Sequence, residues 1–150
     1  MQDLKALNSR QKKEVYKQLE EQFGYKEKID AIMLENSQDK IFLLSNDYAN
    51  LDVEKLRVNN KAMYFGKKEH DGFRLSIEGA QFIKPTKNVI ELTSEESHLW
   101  MLGKDIPKEG HVGFVILKYK KDILGCAMHK SDIIRNMVPK ERRLHSVSEY

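Results

Sequence analysis

The sequence holds a single cysteine, Cys126, and three prolines among its 150 residues. One thiol excludes an internal disulfide, as expected in a reducing compartment. No apolar run approaches the roughly 20 residues that a membrane-crossing helix needs. The N-terminal stretch MQDLKALNSRQKK lacks the apolar core of a signal peptide. These absences predict a cytoplasmic protein with no membrane partner. Also missing are CxxC and HxxxH pairs, GxGxxG, and GxxxxGK followed by Ser or Thr. No metal, no cofactor and no phosphate-cradling loop is therefore expected.

The chemistry of catalysis is thinly represented too. A nucleophilic cysteine needs a lowered pKa and a base within hydrogen-bond reach. Cys126 and His129 lie three apart in an expected strand, so their side chains point to opposite faces. Cys126 reads as a core residue. Carboxylates are plentiful, but none sits in the apolar context that tunes a general acid. Trp100 reads as core rather than as a base-stacking platform. No catalytic residue is expected, and the chain reads as a non-enzyme.

What is present is a mixed-charge globular composition, 40% hydrophobic and 33% charged, long enough for one domain or two small ones. NSRQKKEVYKQLEEQFGY predicts a helix, capped by Asn8 or Ser9 and ended at Gly24, with Val15, Leu19 and Phe23 on one face. DAIMLEN and KIFLLSN, joined by SQD, predict an antiparallel hairpin. NLDVEKLR is a short helix candidate. KAMYFGKKEHDGFRLSIEGAQFI gives two strands around a polar turn, then a helical turn after Glu78.

KPTK at 84–87 is the best domain boundary, because the pattern restarts after it. NVIEL reads as a strand. Thr93 and Glu96 form a capping box ahead of the helix SEESHLWML, which Gly103 stops. HVGFVILKY and DILGCAM are strands with YKKD as their turn, and the tail adds one or two short strands. The expected fold class is α+β, with a small α/β unit at 1–83 and a β-barrel with a packed helix at 84–150.

The net charge of +3 is unevenly placed. Lys118 to Arg143 carries eight Lys/Arg against three Asp/Glu, whereas Met1 to Leu117 nets −1. In the tail, Lys130, Arg135, Lys140, Arg142 and Arg143 alternate with Ile133, Ile134, Met137 and Val138. The apolar residues can anchor the segment while the cations face outward. Arginine can bind phosphate bidentately and stack on a base, and Asn136 can pair with a base edge. A nucleic-acid footprint and a protein-docking face both fit such a strip.

The segment NVIELTSEESHLWMLGKDIP, followed by GFVILKYKKDILGCAMHKSDIIRNMVPKERRL, resembles a PUA domain. The subtype is similar to that at the C-terminus of Nop/Sun-type tRNA and rRNA cytosine-C5 methyltransferases. The residues that carry the resemblance are Leu102, Gly103, Ile106, Gly113, Val115, Leu124, Gly125, Ile134, Arg135, Asn136, Pro139, Lys140 and Arg143. Arg135 stands where the subtype has lysine. YFGK with HDGFRLSIEGAQFI is similar to the pre-PUA domain of Nip-type ribosome-biogenesis factors. The catalytic motifs of the methyltransferases are absent from the sequence.

The resemblance implies docking on structured tRNA or rRNA, in RNA modification or ribosome biogenesis, without intrinsic catalysis. A partner RNA-modifying enzyme or ribosome-assembly factor would fit. It places the RNA surface at Leu102, Gly103 and Lys104 together with Lys130, Arg135, Asn136, Lys140, Arg142 and Arg143. One alternative is the detached RNA-recognition subunit of a cytosine-C5 methyltransferase. Another is a protein-interaction module with a basic docking face.

Overall fold

The cap and periodicity of the first expected helix fix its limits. In the computed structural model, which describes residues 4–48 and 62–144, α1 spans Ser9–Phe23. Asn8 and Gln11 form a reciprocal capping box at its start, and Gly24 ends it at φ 72°. Val15, Leu19 and Phe23 are buried along one face. Full burial of such side chains contributes roughly 1.5–3 kcal/mol each.

The first sheet is an antiparallel five-stranded meander of β1 (Lys5–Ala6), β2 (Ile32–Glu35), β3 (Lys40–Leu44), β4 (Met63–Glu69) and β5 (Gly72–Leu75). The predicted β2–β3 hairpin is present, with Asp39 in the left-handed region at its turn. β1 is a strand that the polar N-terminal sequence did not signal. The helix candidate at 50–57 lies outside the described residues. α2 (Ile77–Ile83) starts earlier than predicted, because the Ser76 side chain accepts from the Gly79 amide and caps it.

The second sheet follows residues 84–87. Its strands are β6 (Val89–Glu91), β7 (Ile106–Pro107), β8 (Gly113–Tyr119), β9 (Asp122–His129) and β10 (Ile133–Arg135), in the order β6-β8-β9-β10-β7. Only the β6–β8 pair is parallel. The expected barrel is a curled half-barrel, since β6 and β7 end the sheet without pairing. α3 (Ser94–Met101) covers one face, with the predicted Thr93–Glu96 capping box at its start.

β8 and β9 are buried on both faces, which explains their near-continuous apolar sequence. Phe114, Ile116, Cys126 and Met128 join a core with Leu19, Phe23, Phe65, Phe73 and Ile83 of the front half. Val115, Leu117 and Ala127 face the other way, into a second core with Trp100, Ile106, Ile134 and Val138. The amides of Thr86 and Lys87 both donate to the Phe23 carbonyl, pinning the inter-sheet connection to the end of α1. Among the described residues no helix is long and apolar enough to cross a membrane.

Candidate nucleic-acid interface

Two segments distant in sequence converge at the end of α3. After Met101 the chain turns through Leu102 and Gly103, the latter at φ 85°, and the Lys104 amide returns to the Leu99 carbonyl. β10 arrives alongside, then a short 3-10 turn at Lys140–Arg142 follows Pro139. The Leu144 amide donates to the Met101 carbonyl at 2.8 Å, closing the arrangement.

Asn136 is the clasp. Its side-chain amide donates to the carbonyls of Trp100 at 2.8 Å and Lys104 at 2.9 Å. Its side-chain oxygen accepts from the Val138 amide, and its backbone amide donates to Asp105 Oδ1. Both amide hydrogens are thus engaged inside the protein, a physical reason against the base-edge role read from sequence. The side chain fixes the glycine turn to the basic strip.

The cations divide into two kinds. Arg135 approaches Asp105 at 3.6 Å, and Arg142 meets Glu78 of α2 at 2.5 Å. Arg143 donates from Nε to the Val138 carbonyl and lies against Gly103. These three help hold the structure as well as present charge. Lys104, Lys130 and Lys140 are exposed and form no ion pair among the described residues. Lys130 stands apart, at the β9–β10 turn on the far end of β10 from Asn136.

Leu102 and Gly103 are half-buried, so the turn offers part of its surface. The strip is anchored as its apolar residues suggested, with Ile134 and Val138 buried. Its strand is shorter than the sequence implied, however. Pro139 starts a 3-10 turn, and Arg142 sits on that turn rather than on a strand.

The other candidates fall inside the protein. Cys126 is buried, and desolvation pushes its thiol up to about 12. Its strand neighbour His129 occupies the opposite face, with Nε2 at 2.8 Å from the Lys108 carbonyl. His129 thereby anchors the 108–110 loop. Trp100 is buried in the second core. The Glu96 carboxyl is held below the usual carboxylate range, chiefly by the Thr93 backbone hydrogen bond and further by Lys108 at 3.1 Å.

Sequence reasoning missed Asp105 and Glu78, the carboxylates that partner Arg135 and Arg142. Glu78 is 64 residues from Arg142 and carries no local signal. Asp105, two residues beyond Gly103, sits within the turn already singled out.

The family model described as the Methyltransferase RsmF PUA domain matches residues 87–144. This span contains α3, the glycine turn and the whole basic strip. It is a PUA domain resembling the C-terminal PUA domain of Nop/Sun-type methyltransferases. The chain is also similar to a protein of Shewanella woodyi named Ribosomal RNA small subunit methyltransferase F. The two are 25% identical over 139 residues, covering 91% of this chain and 29% of that protein. The chain therefore spans less than a third of the relative's length, and the similarity extends into the front half.

Proposed function

We propose that this chain is a non-catalytic RNA-binding protein that docks on structured RNA, rRNA or tRNA, in RNA modification or ribosome biogenesis. The observation that carries the reading is the clasp by Asn136, which joins the glycine turn to the basic strip in one surface within a PUA domain. The half-buried turn at Leu102 and Gly103 supplies the docking edge. Lys104, Lys130 and Lys140 supply exposed charge, and Arg135, Arg142 and Arg143 supply positioned charge. Asn136 acts by holding these groups in place. Residues 1–83 are proposed to form the pre-PUA unit and 84–150 the PUA unit.

The test is a titration of a folded small-subunit rRNA fragment and a tRNA at several salt concentrations. Removing one cation that neutralises a phosphate flattens the slope of log K against log salt by roughly 0.7–0.9. Lys104→Gln with Lys130→Gln and Lys140→Gln should flatten it by about 2, at unchanged fold. Lys12→Gln with Lys13→Gln and Lys17→Gln, on α1, is the charge-matched control. Equal weakening by the two triple variants would mean diffuse electrostatics and would remove the localised site.

A second reading makes the chain an RNA-recognition subunit working with a cytosine-C5 RNA methyltransferase. The relative's name as an rRNA methyltransferase, of which this chain spans 29%, favours it. Co-purification of a methyltransferase with the tagged chain would support this reading, and full activity of that enzyme without the chain would argue against it.

A further inference from the structure

A second basic feature adjoins the surface already described and shares Arg142 with it. A cleft of about 920 Å³ runs between α2 with its following linker and the β8–β9 hairpin. This volume lies within the roughly 300–1,000 Å³ typical of small-molecule sites. Ile77, Val89, Ile123 and Leu124, each half-buried, contribute an aliphatic floor. Lys84, Lys118, Lys121 and Arg142 line it, with Arg142 paired to Glu78. Among the described residues, Asp122 is the only carboxylate that lines it.

The cleft is a built feature. The Gln81 side chain donates to the Ile123 carbonyl at 3.1 Å, tying α2 to β9. Arg142 ties the tail to α2. Among the described residues none of Lys84, Lys118 and Lys121 forms an ion pair. Three unneutralised ammonium groups above an apolar floor call for a ligand with repeated negative charge and flat apolar faces.

We propose that this cleft binds a single-stranded RNA segment continuous with the structured RNA docked on the PUA surface. The phosphates would meet Lys84, Lys118 and Lys121, and the bases would lie against the aliphatic floor. A duplex hides its base faces and offers the floor nothing, so the unpaired form is favoured. With no aromatic side chain among the described lining residues and the free charge carried by lysines, base preference is weak. The inference rests on the RNA-binding reading and extends the footprint across the linker to α2.

The test uses a labelled short oligouridylate and the same folded rRNA fragment, titrated over a salt series. Lys84→Gln with Lys118→Gln and Lys121→Gln removes the three charges while keeping unbranched polar side chains. It should flatten the oligouridylate salt slope by roughly 0.7 per residue, about 2 in all. The α1 lysine triple variant should leave the slope near wild type. A wild-type chain that binds neither RNA would overturn the RNA-binding reading itself. A wild type that binds both, with a cleft variant identical to the control, would overturn the cleft alone.

Oligoglutamate competing as well as oligouridylate would assign the cleft to an acidic peptide and overturn the proposal. Crosslinking of wild type to 4-thiouridine oligonucleotide, read by mass spectrometry, checks the site without any variant. Adducts at Ile123 or Leu124 are expected. Adducts confined to residues 102–104 and 135–136 would overturn the cleft.

Discussion

Arg143 lies across Gly103. A β-carbon at Gly103 would fall 2.5 Å from Arg143 Cδ and 2.7 Å from its Nε. That nitrogen donates to the Val138 carbonyl at 2.9 Å, so the guanidinium cannot simply withdraw. The glycine therefore serves two needs, a left-handed turn at φ 85° and room for the arginine.

Gly103→Ala should accordingly destabilise the fold. The left-handed conformation alone costs roughly 1–2 kcal/mol for a residue with a β-carbon, and the clash adds to it. In an Arg143→Ala background the same substitution should cost less, because only the backbone term remains. Urea denaturation of the four proteins in this cycle measures the difference. Equal costs in both backgrounds would mean the arginine yields freely.

Asn136→Ala should cost about 1–3 kcal/mol, because it removes three part-buried or exposed hydrogen bonds that contribute roughly 0.5–1.5 kcal/mol each at most. It strips hydrogen bonds from the carbonyls of Trp100 and Lys104 and from the Val138 amide. Asn136→Asp should fare no better, since it loses both donors and sets a second charge beside Asp105. Denaturant midpoints check this, and a neutral outcome for Asn136→Ala would deny the clasp.

The Cys126 thiol should stay silent in the native protein. Burial pushes it up to about 12, so hardly any thiolate forms at pH 8. A disulfide-exchange reagent should label it only after unfolding in urea. Cys126→Ala should cost about 1 kcal/mol for a small buried truncation and leave RNA affinity unchanged. Fast labelling of the folded chain would contradict this burial.

Glu96 predicts a pH dependence of stability. Its carboxyl is lowered in the folded protein by the Thr93 backbone bond first and Lys108 next. A depressed folded pKa gives stability that is present above the unfolded value and lost as pH falls through the folded value. The melting temperature of wild type should thus decline below about pH 4.5. Glu96→Gln can still accept from the Thr93 amide but does not titrate, so it should flatten part of that decline. An identical acid profile would remove Glu96 from the explanation.

The sequence by itself determined the elements whose signals are local. The caps at Asn8 and Thr93 each act on an amide three residues away, whereas the Ser76 cap went unread and the α2 start was placed too late. Alternating and continuous apolar runs located β2, β3, β8 and β9. The glycine turn and the basic strip were legible as two segments, as was the burial of Cys126 and Trp100. Only the tertiary structure decided that Asn136 joins those segments, because its acceptors lie 32 and 36 residues away. It alone showed that β8 and β9 are covered on both faces by two different cores. Lys118 was visible as a charge near a strand end and Lys121 as one in a turn, but their cleft exists only where α2 comes against β9. Hydrogen bonds and charge pairs across such sequence distances leave no periodicity, since nothing in the chain between two partners reports which surfaces folding will bring together.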